Sequence, residues 1–203
     1  MMKNVLITIA LFLTLTAVVP AQEVFSSKRW GFEVTLPKFW VARDTEAYES
    51  NINNFKLSED SLKAILDGDK GTRFIASYYF NEPGRLMSLR PQLVLSAHKK
   101  TPAAFETFKR DIVRSSGTLK TAFPDIVLSK AAEVDVAGLR SVLHVGSFTM
   151  VMPDKSVLKA RSRIYSIPLN NYFFQLTLND GQDPATDFSV VFDEIVKSIK
   201  IVR

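Results

Sequence analysis

Residues 188–199, FSVVFDEIVKSI, decide the fold of this chain. Their apolar side chains recur every three or four residues, the pattern of an amphipathic helix: Phe188, Val191, Phe192, Ile195, Val196 and Ile199. A helix with one apolar face must bury that face against another element. The segments before it alternate in the manner of β-strands. The sequence therefore predicts a last helix, opening at Asp183-Pro184, that packs on a sheet.

The rest of the chain supplies the strands of that sheet. Alternating apolar residues bounded by turn residues predict hairpins at residues 24–36 and 157–178, with Trp30-Gly31 in the turn of the first. Further strands are predicted over residues 72–80, 92–98, 128–136 and 140–152, with turns at Ala137-Gly138 and 153–155 and a strand end at 179–181.

Two more helices are predicted between the strands. Thr101-Pro102 has the form of a helix start, Phe105, Phe108 and Ile112 follow at helical spacing, and Gly117 is a plausible stop. Residues 58–69 are compatible with a shorter helix, and residues 43–54 with a polar loop. Together these elements predict one α+β domain, a mainly antiparallel β-sheet flanked by amphipathic helices.

The first 21 residues predict a destination outside the cytoplasm. Lys3 precedes an apolar run from Val5 to Val19, and Val19-Pro20-Ala21 offers small residues at a cleavage site. The run is short for a membrane span of about 20 residues. We therefore expect residues 1–21 to be a signal peptide and residues 22–203 to be a single secreted domain, periplasmic or extracellular, with no integral membrane segment after cleavage. The alternative is an uncleaved N-terminal anchor.

Composition narrows the classes of function. The chain has 0 cysteines, which excludes disulfides, thiolate zinc sites, a cysteine nucleophile and a lipid-bearing cysteine. The net charge is +5, and export argues against nucleic acid as the partner of that charge. We expect an acidic or envelope protein partner, or no partner and a role in solubility alone. The protein is expected to be a monomer.

Four motifs resemble a known family. They are residues 30–40 (WGFEVTLPKFW), 134–138 (VDVAG), 172–177 (YFFQLT) and 192–199 (FDEIVKSI). In this order they resemble the PsbP-like α/β/α sandwich superfamily, many secreted bacterial members of which have unknown roles. The resemblance implies the sandwich fold and no shared enzymatic activity, because its motifs are turn and core residues.

No catalytic or cofactor motif is complete. His98 and His144, the only histidines, lack metal-ligand spacing, and we expect two separate structural histidines rather than a metal site. Residues 67–71 (DGDKG) suggest a calcium loop but depart from the EF-hand pattern, which favours a polar turn. Ser96 and Ser156 each stand three residues before a lysine without the companion motifs of a β-lactamase. We expect no cofactor.

One strand carries a row of positive charge. Alternation places Lys159, Arg161 and Arg163 on one face of the strand at residues 157–167. Like charges in a row repel one another, so the row must be solvated or neutralised by a partner. The sequence predicts a solvated face or, as a candidate site, an anion or acidic-partner contact at these three residues.

These observations favour a non-catalytic binding or accessory protein of the cell envelope, with an unknown ligand. Two alternatives stay open. One is an envelope hydrolase whose site is assembled from dispersed carboxylates and a histidine. The other is a binder of a lipid or small apolar ligand, held in a cleft between the sheet and a helix.

Overall fold

The computed structural model describes residues 22–43, 58–68, 70–117, 119–151 and 155–202. The predicted signal segment lies outside these ranges, as do residues 44–54 of the predicted loop and residues 153–154 of one predicted turn. No helix in the described ranges combines the length and apolarity that a membrane crossing needs.

Eleven strands and four helices are formed by the described residues. The strands are β1 (Glu23–Ser27), β2 (Phe32–Leu36), β3 (Trp40–Ala42), β4 (Thr72–Phe80), β5 (Gln92–Lys99), β6 (Val127–Leu128), β7 (Ala132–Val136), β8 (Leu139–Val151), β9 (Val157–Pro168), β10 (Tyr172–Gly181) and β11 (Lys200–Ile201). The helices are α1 (Glu59–Gly68), α2 (Phe105–Ser116), α3 (Leu119–Ala122) and α4 (Ser189–Lys197).

The strands form two antiparallel sheets. The large sheet has the order β3-β4-β5-β10-β9-β8-β6, and β7 also pairs with β8. The small sheet has the order β1-β2-β11, so the two ends of the described domain meet in it. This confirms the predicted α+β class with a mainly antiparallel sheet.

Alternation along β10 gives the large sheet two unlike faces. Phe174, Leu176 and Leu178 are each 0% exposed and point to one side, which we call the apolar face. Phe173, Gln175 and Thr177 point to the other side, which we call the polar face. The two faces therefore need different cover.

The apolar face carries the main core. It is covered by the small sheet, by α1 through Leu66, and by α4 through Phe192 and Ile195. Aromatic rings fix these layers in edge-on or tilted contacts. The Phe32 and Phe174 ring centroids are 5.0 Å apart, and those of Trp40 and Phe192 are 6.0 Å apart. The apolar stripe predicted at residues 188–199 is thus buried on a sheet, as expected.

Two helices, α2 and α4, begin later than predicted. Helix α2 starts at Phe105 rather than at Thr101, because the chain leaves β5 extended, with the Lys100 amide donating to the Asn171 carbonyl at 2.9 Å. Helix α4 starts at Ser189 rather than at Asp183. Its first residues follow a turn in which the Asp183 carbonyl accepts from the amides of Thr186 and Asp187, both at 2.8 Å.

Two strand boundaries also differ from expectation. The strand predicted over residues 128–136 is split into β6 and β7, because Ser129 bonds to Val145 through its own amide at 2.8 Å and its hydroxyl at 3.0 Å. A side-chain hydroxyl that takes a backbone partner interrupts the regular ladder. At the other boundary, β10 continues through residues 179–181 instead of ending there.

The turn at Gly31 generates a prediction about stability. Gly31 has φ +61°, and a Cβ there would lie 2.0 Å from the Val202 carbonyl oxygen, where β11 meets the first hairpin. Gly84 has φ +78° with open space around it. We expect Gly84→Ala to cost about 1–2 kcal/mol of unfolding free energy from backbone strain alone. Gly31→Ala should cost at least about 3 kcal/mol because a clash is added. Equal losses in urea denaturation would show that the Val202 contact is unimportant.

Candidate functional site

Helix α2 covers the polar face only in part. Its Phe108 and Ile112 pack on Val142 of β8, with Phe105, Ala131 and Phe173 at the margin of this small cluster. The apolar residues of α2 lie three and four positions apart, so they form a narrow stripe along one side of the helix. Open space is left on both sides of this stripe.

The first cleft lies between α2 and strands β5, β10 and β9, and has a volume of about 1070 Å³. Its floor mixes polar and apolar side chains of the polar face: His98, His144, Ile164, Ser166, Phe173 and Gln175. Phe108 and Ile112 stand over this floor from α2. The charged residues of the lining are four cations and a single carboxylate: Lys70, Lys99, Lys100, Arg114 and Asp111.

The second cleft lies on the other side of α2, toward β6, and has a volume of about 630 Å³. Ile126 and Leu128 form an apolar wall, and Lys109, Lys120 and Lys130 supply charge. His144 and Ser116 line both clefts. The two clefts therefore adjoin beneath α2, with His144 at their common boundary.

His98 is held by neighbouring hydroxyls. Its Nε2 lies 2.8 Å from the Ser96 Oγ and its Nδ1 lies 3.1 Å from the Thr72 Oγ1. Its ring stacks on Phe173 with centroids 4.9 Å apart. Burial lowers the pKa of His98, which favours the neutral ring. A neutral imidazole has one donor and one acceptor nitrogen, and the two hydroxyls can satisfy both.

His144 differs from His98 in its bonding. It is 3% exposed, and its ring has no hydrogen bond to any other residue in the part of the chain that the structure describes. Burial lowers the pKa of His144 as well. Its ring nitrogens are not among the fully buried, unpartnered polar atoms of the described residues, so they reach the open space of the clefts. The His144 ring is thus a polar group available to whatever occupies the clefts.

The two histidines do not form a common metal site. Strands β10 and β9 separate them by about 14 Å across the sheet at a strand spacing of about 4.8 Å, and the register places His144 in line with Val94, four residues along β5 from His98. Among the described residues, no group of three His, Asp or Glu side chains is placed to hold a metal ion. The suggested calcium loop contributes an ion pair instead, because Asp67 pairs with Lys99, which lowers the pKa of Asp67.

The basic strand residues lie on the apolar face, where two of them are covered. Arg161 is bidentate to Asp180, with Nε–Oδ1 at 3.0 Å and Nη2–Oδ2 at 2.6 Å, and Asp180 is 0% exposed. The Arg163 Nη1 lies 3.5 Å from the same carboxylate. The side chains of Arg161 and Arg163 are only 19% and 11% exposed. The expected solvated row is therefore wrong for these two residues, because the buried carboxylate of Asp180 neutralises them.

Lys159 is the exposed member of the row. No ion pair joins its side chain to another residue within the described ranges. Contact of Lys159, Arg161 and Arg163 with an acidic partner stays a prediction, and Lys159 is its accessible part.

The acids that bind Arg161 also define the start of α4. Asp180 Oδ2 accepts from the Phe188 amide at 2.9 Å, and Asp187 Oδ1 accepts from the Ser189 amide at 2.8 Å and from Arg161 at 2.8 Å. The hydroxyl and amide of Ser189, with a further contribution from Arg161, lower the pKa of Asp187 to about 2. The carboxylates of Asp180 and Asp187 thus accept hydrogen bonds from amides at the start of α4. Their negative charges also interact favourably with the positive N-terminal end of the helix dipole.

Two polar residues of the cleft floor carry no sequence motif. Ser166 and Gln175 are spaced like any polar residues of a strand. Their signal is the run of polar side chains at alternate positions of β5, β9 and β10. That pattern marks a face which is unlike the core.

Solved structures match this arrangement of layers. The Ran-binding protein Mog1p of Saccharomyces cerevisiae is 9% identical with a TM-score of 0.53, over 90% of this chain and 96% of that one. A cyanobacterial PsbP from Synechocystis sp. PCC 6803 is 13% identical with a TM-score of 0.51, over 92% and 95%. The chain also matches a structure from Bacteroides thetaiotaomicron, at 13% identity and a TM-score of 0.46, over 89% of this chain but only 48% of that one.

No protein-family model matches the chain, and no curated protein matches it in sequence. Layers of helix, antiparallel sheet and helix define an α/β/α sandwich. The matches to Mog1p and to cyanobacterial PsbP show that the sandwich has the PsbP-like fold, which confirms the resemblance seen in the motifs.

The Asp180 network generates a prediction about stability. Asp180→Asn should lower the unfolding free energy by about 3–5 kcal/mol, because two largely buried guanidinium groups lose their carboxylate. Lys159→Gln, the control from the same row, should change it by less than about 0.5 kcal/mol. Thermal and urea denaturation measure both variants. If Asp180→Asn were as mild as the control, the network would not be what anchors α4.

Proposed function

We propose that this protein is a non-catalytic binding protein of the cell envelope, which holds a small ligand in the clefts that flank α2. The observation that carries the proposal is the first cleft, with its mixed polar floor beneath Phe108 and Ile112. Its volume of about 1070 Å³ is near the upper end of typical ligand sites, which run from about 300 to 1,000 Å³. A few polar groups in an apolar cleft can orient a ligand.

The envelope location follows from the signal peptide predicted at residues 1–21. A secreted binding protein of this kind would act in the periplasm or outside the cell, as a monomer or beside an envelope partner. An accessory role is consistent with a domain whose sequence carries no complete catalytic motif.

The cleft chemistry favours an amphiphilic ligand over a purely apolar one. A lipid tail alone would leave Ser166, Gln175 and His144 on the floor without polar contact, which costs free energy. The cations at the rim favour a ligand that carries negative charge or strong acceptors.

Binding in the first cleft can be tested with anilinonaphthalenesulfonate, a fluorescent amphiphile. Thr107 lines the first cleft from α2, whereas Arg110 on the same helix lines neither cleft. We expect saturable fluorescence enhancement that Thr107→Trp weakens about tenfold, a loss of about 1.4 kcal/mol, by filling the cleft. Arg110→Trp should leave it nearly unchanged. Absence of saturable binding, or equal binding by the two variants, would count against the proposal.

One observation favours the hydrolase alternative. Ser96, His98 and Thr72 form a hydrogen-bonded chain that resembles a nucleophile, a base and an orienting group. A threonine hydroxyl is a weak substitute for the third member, because it cannot stabilise an imidazolium as a carboxylate does. The only carboxylate in the described lining of the first cleft, Asp111, is paired with Arg114 at 3.2 Å. This weakness is why we propose a non-catalytic role.

Active-site labelling separates the two functions. We expect no covalent labelling by a fluorophosphonate probe and no hydrolysis of nitrophenyl butyrate above the level of a Ser96→Ala variant. The reason is that Ser96 lacks a charge-supported base. Labelling of the wild-type protein that disappears in both Ser96→Ala and His98→Gln would establish the hydrolase instead.

A further inference from the structure

The second cleft has a one-sided distribution of charge. Lys109, Lys120 and Lys130 line it, and its described lining includes no carboxylate. Lys109 is paired with Glu133 at 2.6 Å. Lys120 and Lys130 form no ion pair with any residue of the described ranges. Neighbouring cations without counter-charges raise the local positive potential, which favours an anion in the cleft.

A buried polar group faces the same space. Ser116 and Ser129 are engaged with the backbone, since the Ser116 hydroxyl donates to the Val113 carbonyl at 2.8 Å and the Ser129 hydroxyl accepts from the Val145 amide at 3.0 Å. His144, at 3% exposure, has no such partner among the described residues. An acceptor that enters the cleft can therefore bond a donor nitrogen of His144 in place of solvent, because no protein group competes for it among the described residues.

The walls of the second cleft are apolar. Ile126 is 6% exposed and lies directly over Gly146, where even a Cβ would come within 2.9 Å of the Ile126 Cδ1. Leu128 and Val113 continue this surface. A fully hydrated inorganic anion would gain nothing from such walls, whereas an organic anion could bury an apolar body against them.

We propose that the second cleft binds a small organic anion, whose acidic group lies among His144, Lys120 and Lys130 and whose apolar body packs on Ile126 and Leu128. This inference rests on the proposed binding function and names its ligand class. The volume of about 630 Å³ is smaller than that of the first cleft and suits an aromatic carboxylic acid smaller than anilinonaphthalenesulfonate, the probe of the first cleft.

Binding of such an anion is linked to protonation of His144. Several elements around His144 carry charged or titratable groups. They are Arg140 on β8, Glu106, Lys109, Arg110, Asp111 and Arg114 on α2, Lys120 on α3, Asp125 and Lys130 beside β6, Glu133 and Asp135 on β7, and His98 across the floor. Each of these acids has a partner other than His144: Glu106 and Glu133 bind Arg140, Asp111 binds Arg114, Asp125 accepts from the Thr149 amide, and Asp135 accepts from the Gly138 amide. An arriving carboxylate raises the pKa of His144 from its lowered value, so affinity rises as pH falls through the pKa of the complex.

The test compares naphthoate with naphthamide, its neutral isostere, by calorimetry and proton NMR at about pH 6 and about pH 8. We expect naphthoate to bind at least about tenfold more tightly than naphthamide near pH 6, with a smaller preference near pH 8. Inorganic phosphate should bind at least about tenfold more weakly than naphthoate, because it has no apolar body. The chain has 2 histidines, so His98→Gln assigns the His144 signal, whose midpoint should shift upward on binding.

Matched variants locate the site. The double variant with Lys120→Gln and Lys130→Gln should lower the affinity for naphthoate about tenfold and leave the affinity for naphthamide unchanged. The control pair Lys63→Gln and Lys197→Gln removes the same charge from exposed positions of α1 and α4, and should change neither affinity.

The outcomes separate the two proposals. If both probes bind equally at both pH values, the clefts bind ligands but the assignment of an anion is wrong. If neither probe binds, the anion assignment is wrong, and the proposed binding function fails as well only if anilinonaphthalenesulfonate shows no saturable binding in the first cleft. If the cleft variant still binds naphthoate more tightly than naphthamide, whereas the control variant does not, the anion binds outside the second cleft.

Discussion

The alternation of side chains along β10 is the constraint on which the rest of the molecule depends. It sends Phe174, Leu176 and Leu178 to one side of the large sheet, where α1, α4 and the small sheet must cover them. It sends Gln175 and Thr177 to the other side of the sheet, which is covered only in part because polar side chains gain little from burial. Helix α2 is therefore held by a narrow apolar contact, and the clefts on its two sides are a direct consequence of a polar sheet face.

A buried ion-pair network adds specificity to the apolar layer. Asp180, at 0% exposure, binds Arg161 and Arg163 and also accepts from the Phe188 amide. Burying such charges brings little net stability, but it fixes geometry, because any other arrangement would leave a charge unpaired. The network thereby determines where α4 begins. The network also pairs and covers Arg161 and Arg163, two of the three cations that the sequence predicted on a solvated strand face.

Much of the fold could be predicted from the sequence, whereas most of the site could not. The periodicity at residues 188–199 and the family-like motifs predicted the sandwich because they report local burial. Helix starts at Thr101 and Asp183 were wrong because distant partners decided them. The clefts were beyond prediction, because they join His98, Gln175 and His144, residues whose proximity depends on strand order. The sequence did contain one indication, the polar side chains at alternate positions of β10. They indicate a polar sheet face only when β5 and β9, which also carry polar residues, are known to be the neighbouring strands.

We propose the polar face beneath α2 as the binding surface of this protein, and amide chemical-shift mapping with naphthoate measures binding there residue by residue. We expect the largest shifts on α2, on the segment from Ile126 to Lys130 and on the strand residues around His144, while amides over the apolar face, such as those of α1, stay in place. Shifts concentrated on α1, α4 or the small sheet, or no shifts at all at saturating probe, would contradict this proposal.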